Sequence, residues 1–307
     1  MTEKPKNITI VGAGMWGTAL GVLASHHHHH VRLWSRRCPE NLASVIVDAD
    51  VILSAVSMGG VTPIIKQLQD LNLPKKAIIV TATKGLDPAT TLTPSRLWQS
   101  AFPDYPVVVL SGPNLSKEIQ QNLPAATAVA STDLTAAETI QVIFATEKFR
   151  VYVNSDPLGT ELGGTLKNVV AIAAGVCDGL HLGTNAKAAL LTRALPEIIR
   201  VGTYLGAEKE TFFGLSGLGD LLATCNSPLS RNYQVGYGLA QGKTLEEILA
   251  HLEGTAEGIN TTNVLVQIAT EQNLYVPIAT QVYRLLRGEI SPLTAVKSLM
   301  ERDLKSE

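Results

Sequence analysis

At 307 residues the chain has room for two domains, at roughly 100–200 residues each. Its 45% hydrophobic and 17% charged content describes a globular protein with a sizeable core and excludes a disordered or fibrous one. A net charge of −2 offers no basis for binding nucleic acid or an anionic surface, and no apolar run reaches the ~20 residues of a membrane span.

Met1-Thr2-Glu3-Lys4-Pro5-Lys6 leads directly into an apolar strand, Asn7–Val11, which leaves no room for a signal peptide. The three cysteines, Cys38, Cys177 and Cys225, are scattered without metal spacing. Both features fit a cytoplasmic protein with buried thiols and no metal site. The strand runs into Gly12-Ala13-Gly14-Met15-Trp16-Gly17 and then a helical segment. Strand, G-x-G-x-x-G and helix in that order read as a dinucleotide site. Gly12 makes the tight turn, Gly14 admits a pyrophosphate, and Gly17 lets the helix pack on the strand. The pyrophosphate is expected on the helix N-terminus, where free N–H groups favour an anion.

Five consecutive histidines, His26–His30, follow the first helix. A run of one residue type in a short loop offers no fixed ligand geometry, so it reads as a solvated loop or an engineered replacement and is given no chemistry. The second strand ends Trp34-Ser35-Arg36-Arg37, without the acid that would accept from a ribose 2′-OH. Arg36 can instead bond a 2′-phosphate, which points to NADP(H), or to use of both NADP(H) and NAD(H).

Short β-branched runs at 51–56, 77–81 and 107–110, with two more at 126–130 and 149–153, alternate with helical segments. This predicts a doubly wound, mostly parallel sheet of Rossmann type, covered on both faces. Beyond Asp156-Pro157 only helical periodicity remains, so a dinucleotide domain is expected over 1–155 and an all-helical domain over 156–307.

Ligands of such sheets bind beyond the carboxyl ends of the strands. The loops Ser57–Gly60, Thr83-Lys84-Gly85 and Ser111-Gly112-Pro113-Asn114 all lie there. Lys84, between a strand end and a glycine, faces the expected cleft or is an ordinary surface lysine. In the helical half, Leu162, Leu166, Val169, Val170 and Ala173 form one apolar helix face, with Lys167 off that face and beside Gly163 and Gly164. Each glycine costs a helix about 1 kcal/mol, which points to a close approach there. Lys167 either points into a cleft or covers a thin helix contact. Asp220, after the turn Gly214–Gly219, either caps a helix or pairs with a cleft lysine. Ser230-Arg231-Asn232 combines a cap, exposed N–H groups and a guanidinium, a competent seat for a small anion.

Taken together, the chain resembles the bacterial-type NAD(P)-dependent glycerol-3-phosphate dehydrogenase family over nearly its whole length. The resemblance rests on Gly12–Leu20, Ala82–Leu86, Ser111–Pro113, Leu166–Val169, Gly217–Leu221, Ser230–Asn232 and Glu253–Gly258. It implies reversible reduction of dihydroxyacetone phosphate to sn-glycerol 3-phosphate, which supplies glycerophospholipid synthesis. It further implies Lys167 as the proton donor and acceptor, with Lys84 and Asp220 beside it. Lys84, Gly112, Asn114, Asp220, Ser230, Arg231 and Asn232 would line the substrate. Met15, Trp16, Arg36, Ser116, Arg231, Thr255 and Glu257, with Lys84 and the glycines, would touch the cofactor. A homodimer is implied by the resemblance alone.

The chain departs from the family pattern in a short segment, Cys38–Asp50, between the second and third strands, and in its histidine run. Two other readings compete. A related two-domain hydroxyacid or ketopantoate-type dehydrogenase shares the opening motif and a helical-domain lysine, but does not need the Arg231 anion seat. A non-catalytic NADPH-sensing regulator needs the glycines, but not Lys84, Lys167 and Asp220 together.

Overall fold

The computed structural model describes residues 4–303, and the structural statements below concern those residues. The N-terminal half alternates β1 (Asn7–Val11), α1 (Met15–Ser25), β2 (His30–Trp34), α2 (Leu42–Ile46), β3 (Val51–Ser54), α3 (Met58–Gln69), β4 (Ile78–Thr81), α4 (Pro94–Ala101), β5 (Val107–Ser111), α5 (Ser116–Gln120), β6 (Ala125–Ala130), α6 (Leu134–Phe144) and β7 (Phe149–Asn154). The seven strands form one sheet in the order β2-β1-β3-β4-β5-β6-β7. Its strands are buried between two apolar layers, one including Leu20, Ile140 and Phe144, the other Ile64, Leu68 and Trp98. That double covering is why these strands read as near-continuous β-branched runs.

The first five strands are parallel, but β6 runs antiparallel to β5, and β7 then runs parallel to β6. The expectation of a mostly parallel sheet therefore holds with one reversal. The histidine run is not uniformly solvated as expected. His29 turns inward, is buried, and its Nδ1 accepts from the Lys6 N–H at 3.1 Å.

From Pro157 onward the described residues contain no strand. The helices are α7 (Pro157–Gly179), α8 (Gly183–Tyr204), α9 (Asp220–Cys225), α10 (Arg231–Ala240), α11 (Leu245–His251), α12 (Glu257–Glu271), α13 (Pro277–Leu286) and α14 (Pro292–Met300). Asp156 caps α7, accepting from the Gly159 N–H at 2.8 Å, and Pro157 supplies the preset first position. The single apolar face expected for α7 is too narrow a description. The helix is buried on nearly every side because α8, α9, α10, α12 and α13 all pack around it. Against α10 the packing is backbone to backbone: a Cβ at Gly236 would strike the Ile172 carbonyl, and one at Gly175 the Tyr233 carbonyl. No described helix is long and apolar enough to cross a membrane.

Candidate active site

The carboxyl ends of β1, β3, β4 and β5 face the polar residues of α7, α9 and α10 across a cleft, lined by Gly14, Val56, Lys84, Asn114, Lys167 and Arg231 among others. On the sheet side, Gly12 adopts φ +120°, and a Cβ there would sit 2.7 Å from the Ala55 carbonyl oxygen. Only glycine fits that turn. A Cβ at Gly17 would collide with the Gly12 carbonyl, so α1 starts tight against the turn. Gly14 caps α1 without a side-chain bond and has nothing within 4 Å of its Cβ position. An uncapped helix N-terminus beside open space is the cradle a dinucleotide pyrophosphate needs, and Met15 and Trp16 lie on its rim. Arg36 and Arg37 are exposed after β2, and among the described residues no carboxylate pairs with either. These residues fit an NAD(P)-type group.

On the helical side, the turn before α9 is a π-type turn, Leu215–Gly219, closed by the Gly219 N–H donating to the Gly214 carbonyl at 3.1 Å. Such turns recur at functional sites. This one delivers Asp220 into the cleft floor rather than onto a helix cap. Its Oδ2 accepts from Lys84 Nζ at 2.5 Å and its Oδ1 lies 3.0 Å from Lys167 Nζ. Lys84 also donates to the Gly112 carbonyl at 3.2 Å. Lys167 donates to Thr224 Oγ1, and the Thr224 hydroxyl donates to Asp220 Oδ1 at 3.0 Å. The close approach expected at the α7 glycines is real: a Cβ at Gly164 would lie 3.2 Å from Lys84 Cε, and one at Gly163 would crowd the Ser216 carbonyl at 2.8 Å.

Burial sets the charge states here. It drives the Lys167 amine down from 10.5 to about 8; Asp220 opposes that shift, and the neighbouring Lys84 charge adds to it. Burial alone would raise the Asp220 carboxyl, but the two ammonium groups outweigh it and hold the acid below its ordinary value. Two lysines share one carboxylate, so the site keeps a net positive charge with Lys167 protonated. Cys225, beneath Lys167, is a buried thiol pushed up to about 12, and so an inert packing group.

Above this cluster, Ser230 Oγ caps α10 by accepting from the Tyr233 N–H at 3.3 Å. No described group accepts from the N–H groups of Arg231 and Asn232, which leaves an anion-binding helix start. The Arg231 guanidinium lies over Gly254, where φ is +90° and a Cβ would come 2.7 Å from Nη1, and it donates to the Thr255 carbonyl at 3.2 Å. Asn232 Oδ1 accepts from the Gly258 N–H at 2.9 Å, which ties α10 to α12. Glu257 bridges the cleft: its Oε1 accepts from the Met58 N–H at 3.2 Å and from the Thr255 hydroxyl at 3.1 Å.

The candidate residues expected from the sequence thus line this cleft, apart from Arg36 at the outer end of β2, Gly12 and Gly17, which shape the turn, and Gly112, which joins through its carbonyl. Asn114 lines the cleft, yet its amide is engaged by β6, donating to the Ala126 carbonyl at 3.1 Å and accepting from the Thr127 hydroxyl at 2.9 Å. Ser116 begins α5. Thr224 escaped the sequence reading, although its place four residues after Asp220 on a helix would have put both on one face. A groove of 690 Å³ between α10 and α11 carries the exposed side chains of Lys243, Glu247 and His251, and none of the cleft residues lines it.

Comparisons with known proteins identify the family. The family model for the NAD-dependent glycerol-3-phosphate dehydrogenase N-terminus matches residues 7–41 and 37–137, and the model for its C-terminus matches residues 156–297. The N-terminal match breaks at 37–41, inside the short segment between β2 and β3. The chain is 64% identical to a glycerol-3-phosphate dehydrogenase [NAD(P)+] of Acaryochloris marina over 300 residues, covering 98% of this chain and 97% of that one. It is also 64% identical to the enzyme of that name from Trichormus variabilis, covering 98% of each. Among solved structures, a glycerol-3-phosphate dehydrogenase from Coxiella burnetii superposes with a TM-score of 0.92 at 33% identity, covering 97% of this chain and 99% of that one. The chain belongs to the NAD-dependent glycerol-3-phosphate dehydrogenase family.

Proposed function

We propose that the chain catalyses the reversible reduction of dihydroxyacetone phosphate to sn-glycerol 3-phosphate with NADPH, and with NADH as a second donor. The observation that carries this reading is the Lys84–Asp220–Lys167 cluster, which lines the same cleft as the Arg231 helix start. A phosphate seat and a proton donor on one wall suit a small phosphorylated ketone.

When bound, the reduced nicotinamide supplies the hydride. The Gly12–Gly17 turn, Met15, Trp16, Ser116, Thr255 and Glu257 would hold the dinucleotide, and Arg36 its 2′-phosphate. The chain's own residues provide the rest. Arg231 and the N–H groups at the start of α10 bind the substrate phosphate, and that binding energy fixes C2 in place. Lys167 holds a proton at Nζ for the carbonyl oxygen as negative charge develops on it. In the reverse direction the neutral amine accepts that proton. Asp220 orients both lysines, and Lys84 adds positive field.

The same reading divides the chain into a dinucleotide domain, 1–155, and a helical substrate domain, 156–307. It makes the protein a cytoplasmic homodimer whose product feeds glycerophospholipid synthesis; the scattered cysteines support the compartment, and family resemblance supports the rest. The test is NADPH oxidation with dihydroxyacetone phosphate, repeated with NADH and with a non-phosphorylated keto acid. Turnover confined to the phosphorylated ketone supports the proposal. Turnover of the keto acid alone favours the ketopantoate-type alternative, and NADPH binding without turnover favours a regulator.

A further inference from the structure

The loop that carries Lys84 joins β4 to α4, and both halves of the molecule grip it. Its start is pinned to the sheet, where the Thr83 hydroxyl donates to the Val56 carbonyl at 2.8 Å. One residue past Lys84 the grip changes sides: the Gly85 N–H donates to Thr165 Oγ1 on α7 at 3.0 Å. Asn260 on α12 then donates from Nδ2 to the Leu86 carbonyl at 2.8 Å. Lys84 therefore sits between an anchor on the sheet and an anchor on the helical half.

Thr165 is fully buried and lies two residues before Lys167 on the same helix. The Lys84 stem crosses α7 next to it, as the 3.2 Å approach to a Cβ at Gly164 records. From this we infer that Thr165 is a positioning residue whose hydroxyl fixes Lys84 relative to Lys167 through the Gly85 N–H. A valine in its place keeps the shape but removes the acceptor, and leaves a buried N–H unpaired. The loop then relaxes and Lys84 withdraws from Asp220. The Lys84 charge is one of the forces that lower the Lys167 amine, and Asp220 one of those that raise it. With Lys84 gone from the carboxylate, both changes move Lys167 upward.

The inference rests on the proposed reaction, so its test includes controls for that reaction. Wild type, Thr165→Val, Thr165→Ser and Lys167→Ala are assayed for dihydroxyacetone phosphate reduction across pH. Thr165→Val is expected to lose about tenfold or more in kcat, as small misplacements of reacting groups do. Its alkaline limb should move to higher pH, with KM for NADPH held within about twofold, because a displaced Lys84 alters the proton donor more than the dinucleotide cradle. Thr165→Ser keeps the acceptor and should restore both kcat and the limb. A wild-type kcat and limb in Thr165→Val overturns the inference, as does Thr165→Ser failing as badly as Thr165→Val. If the valine variant does not fold, Thr165→Ala carries the same prediction. Turnover lost in Lys167→Ala but untouched in Thr165→Val removes the role of Thr165 alone. Turnover retained in Lys167→Ala removes the proton-donor role of Lys167 and this inference with it, whereas a wild type without turnover removes the reaction reading itself.

Discussion

The sheet wall of the cleft offers mostly backbone: an uncapped helix start at Gly14, a left-handed glycine at Gly12, and the Gly112 carbonyl that accepts from Lys84. The helical wall offers side chains: Lys167 and Asp220, buried and paired, with Arg231 above them. The difference follows from what each ligand asks of the protein. A pyrophosphate is a fixed dianion that N–H groups and a helix dipole can hold without a titrating group. A ketone being reduced develops charge only during the reaction, so it needs a proton donor whose affinity is tuned, and tuning requires a buried side chain with charged neighbours. Lys84 is the exception that links the walls, a side chain from the sheet half that completes the charge cluster of the helical half.

That division can be broken in graded steps. The largest effect is expected at Lys167: Lys167→Ala should lower kcat by about 10²–10⁴-fold, the usual share of general acid–base catalysis. The NADPH Kd, read by fluorescence titration, should stay nearly unchanged, since Lys167 is not among the residues proposed to hold the dinucleotide. Arg231→Leu comes next. Loss of a charge-assisted bond to phosphate should raise KM for dihydroxyacetone phosphate about 10–100-fold in steady-state assays, and an unchanged KM would move the anion seat elsewhere. Arg36→Ala touches only the far end of the sheet wall. It should cut the NADPH-to-NADH ratio of kcat/KM by about tenfold and leave kcat alone.

The smallest effect on turnover is expected at Glu161, where the two halves meet. Its buried carboxyl accepts from the Ser95 N–H at 2.9 Å, at the start of α4. Burial raises it from 4.5 to about 7, against the bonds from Ser95 and Thr93. The folded state therefore favours the protonated acid. Its contribution is intact below the ordinary value of 4.5 and is lost as pH rises through about 7. The Tm should fall by a few degrees between about pH 5 and 8, and Glu161→Gln should flatten that slope.

The sheet wall was the more legible half, because its signals are local. The glycine turn, the strand–helix alternation and the acid-free end of β2 are each contained in a few consecutive residues. Parallel topology also announced that the loops after β3, β4 and β5 share one edge. The reversal of β6 was hidden, since Ala125–Ala130 carries no mark of direction. The helical wall was legible as a set of candidates, not as an arrangement. Asp220 and Lys84 are 136 positions apart, and nothing in either neighbourhood says that they meet. Thr224 and Thr165 look like ordinary helix threonines until α7 and α9 are packed. The choice for Asp220 between cap and lysine partner, left open by the residues, is decided by the π-type turn, which puts Gly219 at the cap position and the Asp220 carboxylate between the two lysines.

The account turns on Lys167 as a tuned proton donor, and the pH dependence of kcat in both directions tests it most directly. With the amine near 8, ketone reduction needs the protonated form and should decline as pH rises through about 8, while alcohol oxidation should rise over the same interval. Asp220→Asn removes a group that raises Lys167, so both limbs should move to lower pH in that variant. Profiles flat across this interval in both directions, or limbs that stay in place in Asp220→Asn, would contradict the assignment of Lys167.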